Sequence, residues 1–469
     1  MNLVLRGLKC LKENGIIYTI HNINGKISRK FWRKFILHNY YDDLRNRVNN
    51  YQSRYPLEPR KTAFRLLWWN FKQLFKKHVG DNDDRISASA RKAITVQAGS
   101  VLPSEYHTPN DYHLTNDVLN IGFQIAGGIG DRLIAANYLL AFREKYGRDH
   151  VRIDILVNGR NSDNSIFREG YVVDHIYVKD PKKSTESYCG NYDLFIKLVR
   201  YPVVFQKHLS AIAKYEPDLI DYVYRCEAFR AHYLRFIDHA GITDGQSGHF
   251  SILNGKKRFQ QADITGEFNL EETFRYELHI NAPTEYLTSI SLNNEMYITV
   301  HRGVDINYIS TSIKLWPLGY YDVLLKLIKT CYPQIRIVQL GVSEERCPAM
   351  EYTDINLVGT TTMEEVKILL KNSLVHIDGE GGMVHLRHAL NGGTSIVLFG
   401  PTSEEFYGYS ENVNVRGNGC ETWCEWCVEG WQEGCLRKIG GVPCMQSITP
   451  EMVFEKFEDL MAKRGIKHG

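Results

Sequence analysis

Between residues 116 and 415 the chain repeats one pattern: a short, nearly all-apolar run followed by a longer stretch with helical spacing. The runs are Ile121–Ala126, Arg152–Val157, His175–Val178, Asp193–Leu198, Met296–His301, Ile335–Leu340, Leu374–Asp378 and Thr394–Phe399. A strand that is apolar on both faces must be covered on both, which is the condition of parallel strands flanked by helices. The alternation therefore predicts doubly wound α/β units. Two are expected, over 116–288 and 289–415, with Asn281, Pro283 and Thr284 at the join. Ligands of such units sit beyond the carboxyl ends of the strands, and two facing units enclose a cleft.

The 469 residues are 43% hydrophobic and 24% charged, which fits a folded chain and excludes collagen, coiled coil and low-complexity disorder. No apolar run is long enough to span a bilayer. Arg6, Lys9 and Lys12 interrupt the N-terminal apolar residues, so a secretory signal is not expected and a cytoplasmic, reducing setting is. The net charge of +3 hides an asymmetry. Residues 1–80 hold 17 Lys/Arg against four Asp/Glu, a net of +13; the remainder hold 40 against 50, a net of −10. Phe31, Trp32, Phe35 and Ile36, then Phe64, Leu67, Trp68, Phe71, Leu74 and Phe75, recur at helical spacing among these basic residues. Such an amphipathic extension either docks on the acidic body or lies on an anionic membrane surface. No nucleic-acid motif accompanies the charge, and no nucleic-acid partner is expected. Residues 81–115 read as a polar linker.

Five segments could carry chemistry or shape the turns around it. Gly127-Gly128-Ile129-Gly130-Asp131 follows the first strand and opens a helix over Arg132–Tyr146. Its glycines permit a tight turn and close approach of a ligand to the helix N-terminus. Asp131 sits where an N-cap would and reads either as a cap or as a general base. Lys314-Leu315-Trp316-Pro317 places a lysine before a helix that Pro317 can start, as a point charge for phosphate or a solvated side chain. Gly359-Thr360-Thr361-Thr362 offers Thr361 and Glu364 at capping-box spacing. Glu380-Gly381-Gly382-Met383-Val384-His385 follows another strand and opens a second helix, suited to a diphosphate, with His385 as a donor to phosphate or an ordinary helix histidine. Phe399-Gly400-Pro401-Thr402 closes the expected last strand and turns the chain back toward the cleft.

Taken in order, Gly128-x-Gly130-Asp131, Lys314-x-Trp316-Pro317, Glu380-Gly-Gly-x-x-His385 and Phe399-Gly-Pro-Thr402 resemble glycosyltransferase family 9, the bacterial heptosyltransferases, over about residues 120–455. The resemblance implies a GT-B fold of two Rossmann-like domains: an acceptor domain over 116–288 and a nucleotide-sugar domain over 289–415. It implies inverting transfer from a nucleotide-diphosphate sugar, typically ADP-heptose, to a lipid-linked saccharide (lipopolysaccharide) or a protein hydroxyl, with no catalytic metal. It maps the base to Asp131 and the donor contacts to Gly128, Gly130, Lys314, Glu380, Gly381, Gly382, His385 and Thr402. Glu380 and Gly381 depart from the family's Asp-(Ser/Thr), so one phosphate-facing hydroxyl is missing. The 115-residue N-terminal extension has no counterpart in the short core-heptose enzymes.

Five of the ten cysteines crowd into residues 420–444. Cys424-x2-Cys427-x7-Cys435-x8-Cys444, with Cys420 four residues ahead, suits a tetrahedral thiolate site for structural zinc or iron; the alternative is free thiols in a small satellite core. Autotransporter-modifying heptosyltransferases look similar here, with a cysteine-bound iron. Trp423, Trp426 and Trp431 interleave the cysteines, as cover for a metal or a stacking surface for sugar. This cysteine finger is expected over 416–448, and a last helix over Pro450–Arg464 is expected to pack across both domains. The rival to an enzyme is a degenerate transferase scaffold that recruits partners through the finger and the basic arm.

Overall fold

The computed structural model describes residues 117–469, apart from 148, 159–164, 180–185, 199, 235–243, 284, 304–311, 426, 428–430 and 438–439. The expected basic extension (1–80) and the whole of the linker (81–115) lie outside the described residues, as does Trp426. All eight expected strands are present.

The first half is a five-stranded sheet of order β3-β2-β1-β4-β5. It is built from β1 (Leu119–Ile125), β2 (Val151–Asn158), β3 (His175–Lys179), β4 (Leu194–Leu198) and β5 (Pro202–Lys207), interleaved with α1 (Ile129–Tyr146), and followed by α2 (Leu209–Tyr215), α3 (Leu219–Phe229) and α4 (Asp244–Leu253). β1 pairs in parallel with β2 on one side and β4 on the other, so both faces are covered and all seven residues are buried. β5 was not read from the sequence. It runs antiparallel at the sheet edge and starts on Pro202, a placement open to proline because that residue need donate no ladder hydrogen bond.

The second half is a six-stranded, wholly parallel sheet of order β11-β10-β9-β6-β7-β8. Its elements are β6 (Tyr297–His301), α5 (Leu318–Cys331), β7 (Arg336–Leu340), β8 (Ile355–Asn356), α6 (Met363–Asn372), β9 (His376–Gly379), α7 (Gly382–Ala389), β10 (Ser395–Phe399), β11 (Val413–Arg416) and α8 (Pro450–Lys463). Three expectations are corrected here. The strand ending at Phe399 is not the last, since β11 adds the sheet edge beyond it. The box that starts α6 is Thr362 with Glu365, not Thr361 with Glu364: the Thr362 Oγ1 accepts from the Glu365 N–H and the Glu365 carboxylate accepts from the Thr362 N–H. The last helix does not straddle the halves. Val453, Phe457, Leu460 and Met461 on α8 join the core of the second half alone. Burying each of these contributes about 1.5–3 kcal/mol.

The halves share a core. Helix α1 is buried almost all round, because the sheet covers one side, and α7 with the segment that crosses between the halves (residues 254–283) covers the other. The crossing segment is pinned to α1 where the Asn137 side-chain oxygen accepts from the Arg275 and Tyr276 N–H groups at 2.8 and 3.1 Å. A second tie comes from α6: buried Lys367 donates to the Ser165 and His279 carbonyls at 3.0 and 2.5 Å.

Candidate active site

The site is assembled from two turns that follow β1 and β9, at the carboxyl ends of their strands. In the first, Gly127 has φ +112° and a Cβ there would strike the Asp131 side chain, so the position requires glycine on two grounds. Gly128 is the N-cap of α1 and Asp131 lies three residues in, which corrects the expectation of Asp131 as the cap itself. Its Oδ2 accepts from the Gly128 N–H at 2.9 Å. Its Oδ1 takes a charged hydrogen bond from Arg258 Nη2 at 2.5 Å. Arg258 belongs to the 3-10 turn Arg258–Asp263 of the crossing segment and its side chain is 9% exposed, against 37% for Asp131. Burial acts to raise the Asp131 carboxyl. The Arg258 charge and hydrogen bond, the Gly128 N–H and His385 outweigh it, and the carboxyl is held below its ordinary range.

In the second turn, Gly381 and Gly382 open α7 and His385 lies in its first turn. The His385 ring fills the space left by the missing side chain of Gly130, and a Cβ on Gly130 would collide with it. A Cβ on Gly382 would in turn press Ile129 at 3.3 Å. The two glycine turns thus let the N-terminal ends of α1 and α7 meet. The Glu380 side chain is buried between two nitrogens: Lys314 Nζ donates to its Oε2 at 2.6 Å, and His385 Nε2 stands 3.9 Å from its Oε1. Lys314 is placed by its neighbour Trp316, a buried indole that donates to the Ile448 carbonyl at 2.8 Å. His385 Nδ1 contacts the Tyr409 hydroxyl at 2.6 Å, and Tyr409 stacks on His388 with ring centroids 3.6 Å apart. Burial pushes His385 down to about 4 despite Glu380 and Asp131, so it is neutral at pH 7. It therefore supplies a hydrogen-bonding group and no positive charge.

Gly128, Gly130, Asp131, Lys314, Glu380, Gly381, Gly382 and His385 are brought into one chain of contacts. Thr402 is not. It is buried after β10, where its carbonyl accepts from Arg416 Nη1 at 2.8 Å, and among the described residues it joins none of these contacts. Arg258 and Tyr409 belong to the site and were missed. Neither lies in a recognisable motif, and Arg258 is 127 residues from its partner.

The loop that carries Thr402 also anchors the cysteine segment, since the Pro401 carbonyl accepts from both the Cys424 and Glu425 N–H groups at 2.9 Å. Burial and the neighbouring thiols of Cys427, Cys444, Cys420 and Cys435 push Cys424 up to about 12. Burial also raises Cys427 and Cys444. The thiols therefore share one electrostatic neighbourhood. Among the described residues, however, no group of three or more His, Cys, Asp or Glu side chains is set to hold a metal ion. The metal reading rests on the donor chemistry alone. Trp431 is buried beside this segment and Trp423 packs on His249 with centroids 4.8 Å apart.

Two α/β halves, with paired charges where the first turns of their helices meet, fit the architecture expected from the motifs. Residues 257–434 match the family model of glycosyltransferase family 9 (heptosyltransferase). Over that stretch, which includes Lys314, Glu380, His385 and Thr402, the chain is similar to glycosyltransferase family 9. Among solved structures it is similar to the Escherichia coli ADP-heptose lipopolysaccharide heptosyltransferase II, at 15% identity over 74% of this chain and 100% of that one, TM-score 0.45. It is similar to E. coli heptosyltransferase WaaC with ADP-2-deoxy-2-fluoro heptose, at 14% over 73% and 99%, TM-score 0.43. It is also similar to the iron-containing dodecameric glycosyltransferase TibC from enterotoxigenic E. coli H10407, at 12% over 74% and 81%, TM-score 0.44. No curated protein matches the chain.

Proposed function

We propose that the protein transfers a heptose, with inversion, from ADP-heptose or a related nucleotide-diphosphate sugar to a hydroxyl of a lipid-linked saccharide or of protein serine or threonine. The observation that supports this most is the meeting of the two glycine turns, which sets a carboxylate within the reach of a phosphate-type cradle. In this reading the acceptor oxygen attacks the anomeric carbon as the bond from that carbon to the diphosphate oxygen breaks. The electron pair leaves with the diphosphate, and the acceptor's proton passes to Asp131. Lys314 and the open N–H groups of α7 take the charge that develops on the leaving group. They are sufficient for that task, so the reading calls on no divalent ion. Lys314 must then exchange Glu380 for phosphate.

Residues 1–80 carry the charge suited to an anionic membrane face, where a lipid-linked acceptor would be met. Among the described residues no helix is long and apolar enough to cross a membrane. Cys424, Cys427, Cys435 and Cys444 are the proposed ligands of a structural zinc or iron. Elemental analysis of anaerobically purified protein tests this, and less than about a tenth of an equivalent of either metal overturns it, since thiolate sites bind tightly.

The donor is tested by thermal shift with ADP-, GDP-, UDP- and CMP-linked sugars. A ligand at 100 times its Kd adds about 2.7 kcal/mol. Stabilisation by ADP-heptose is expected. The Lys314–Glu380 pair favours a second reading, a scaffold whose donor site is closed by its own carboxylate. Absence of any shift across the panel selects it.

A further inference from the structure

We infer that Arg258 is the positioning residue for Asp131, fixing the carboxylate, as an anion, at the meeting point of α1 and α7. This rests on the reading of Asp131 as the base. A guanidinium buried to 9% exposure has lost most of its hydration, and the loss is tolerated only when a partner completes the pair. The surroundings do not otherwise call for charge: Phe259, Phe274 and Tyr409 form an aromatic cluster about this turn. An apolar side chain of the same volume would pack there without that cost. What the guanidinium adds is a fixed charge on one oxygen of Asp131.

The remaining groups facing Asp131 do not substitute for it. They are the Gly128 N–H from its own turn, His385 from α7, and Tyr407 from the turn Glu404–Tyr407, whose phenol burial keeps neutral. His385 is neutral too. Tyr407 and Tyr409 face Arg258 as well. Arg258 is thus the one cation at neutral pH among these groups. The geometry leaves the base usable. Arg258 occupies one site on Oδ1 and Gly128 one on Oδ2, while an ionised carboxylate offers about four. With 37% of its side chain exposed, Asp131 can accept the acceptor's O–H while Arg258 stays in place. Arg258 itself gains and loses no proton.

The test follows the carboxyl directly. The carbon-13 resonance of the Asp131 carboxyl, assigned by its absence in Asp131→Asn, is titrated in the full chain. In Arg258→Gln or Arg258→Met it is expected to titrate about 1 to 3 units higher, the usual effect of an adjacent opposite charge. Arg258→Lys is expected to restore most of the shift. In parallel, the acidic limb of ADP release from ADP-heptose moves to higher pH in the same variants. An unchanged carboxyl titration in whichever of Arg258→Gln and Arg258→Met retains a cooperative melt overturns the proposal. Undiminished ADP release in Asp131→Asn overturns the base reading instead, and leaves the titration to judge Arg258 by itself.

Discussion

Helices α1 and α7 begin in the same way. Each follows a buried strand, each is opened by glycines, and each presents its first turn to the other. Their charge sets differ. At α1 the ion pair is Asp131 with Arg258, and the carboxylate keeps 37% exposure while its partner is buried. At α7 the pair is Lys314 with Glu380, at 16% and 7%, with a neutral histidine alongside. The first arrangement leaves an anion available and hides the cation. The second hides the anion and leaves the cation the more accessible of the two. A hydroxyl acceptor needs the first and a diphosphate needs the second, so one backbone device is divided between two tasks by the residues placed behind it.

The comparison is broken most directly at α1. Asp131→Asn keeps the shape and the hydrogen bond from Gly128 but removes the basic oxygen. Turnover is expected to fall about 10²- to 10⁴-fold with little change in donor Kd. Steady-state kinetics with isothermal titration of the donor checks both, and a fall in affinity that accounts for the lost turnover sinks the assignment. At α7 the larger effect is on stability. Lys314→Met leaves Glu380 buried without its cation and is expected to cost about 3–5 kcal/mol in urea unfolding. Lys314→Met with Glu380→Met is expected to recover most of that stability while donor binding stays lost. If the double variant is as unstable as the single, the pair is not the source of the cost.

How much of this was legible follows the same division. The eight strands were readable because buried parallel strands are short, apolar and bounded by turns. β5, β8 and β11 were not: β5 begins on proline at an edge, β8 has two residues, and β11 alternates as Val-Asn-Val-Arg. The glycine turns with Asp131, Lys314, Glu380 and His385 stood out because each sits at a fixed offset from a strand. Arg258 lies in Lys256-Lys257-Arg258-Phe259, a run with no periodicity, and only the fold carries it to α1. His385 was visible as a residue but not as a charge state, because that depends on burial created by Gly130 from the other half. Thr402 was placed by its motif, and the loop instead turns inward to hold the cysteine segment.

The second half also contains two histidines shifted in opposite directions, which sharpens what burial does against what a partner does. Burial holds His385 at about 4, below its ordinary 6.5. The native state then binds fewer protons than the unfolded chain between these values. Its contribution is complete above pH 6.5 and lost as pH falls toward 4, by about 3 kcal/mol. For His301 burial acts in the same direction, yet Asp378, 2.8 Å from Nδ1, overrides it and raises the group to about 10. That contribution is present below pH 6.5 and lost as pH rises through 10. Urea titrations across pH 4 to 10 are expected to show His385→Gln flattening the acid slope alone and His301→Gln flattening the alkaline slope alone. A single variant that flattens both means the two sites are coupled.

The smallest effect comes from the contact itself. Gly130→Ala adds one methyl group at the second residue of α1, where alanine is otherwise the better helix former, by less than the about 1 kcal/mol of a helix interior. If α1 and α7 were independent, the change would stabilise. Because the new Cβ meets the His385 ring, the ring must shift from Tyr409 or the helices must part. A net loss of about 1–3 kcal/mol is expected, as for other overpacked contacts. The paired variant Gly130→Ala with His385→Ala removes the clash and is expected to be more stable than Gly130→Ala alone, even though it also loses the buried ring. Thermal melts of the three variants separate the terms. Additive losses would mean that the two helix ends do not touch in solution, and the division of tasks between them would lose its physical basis.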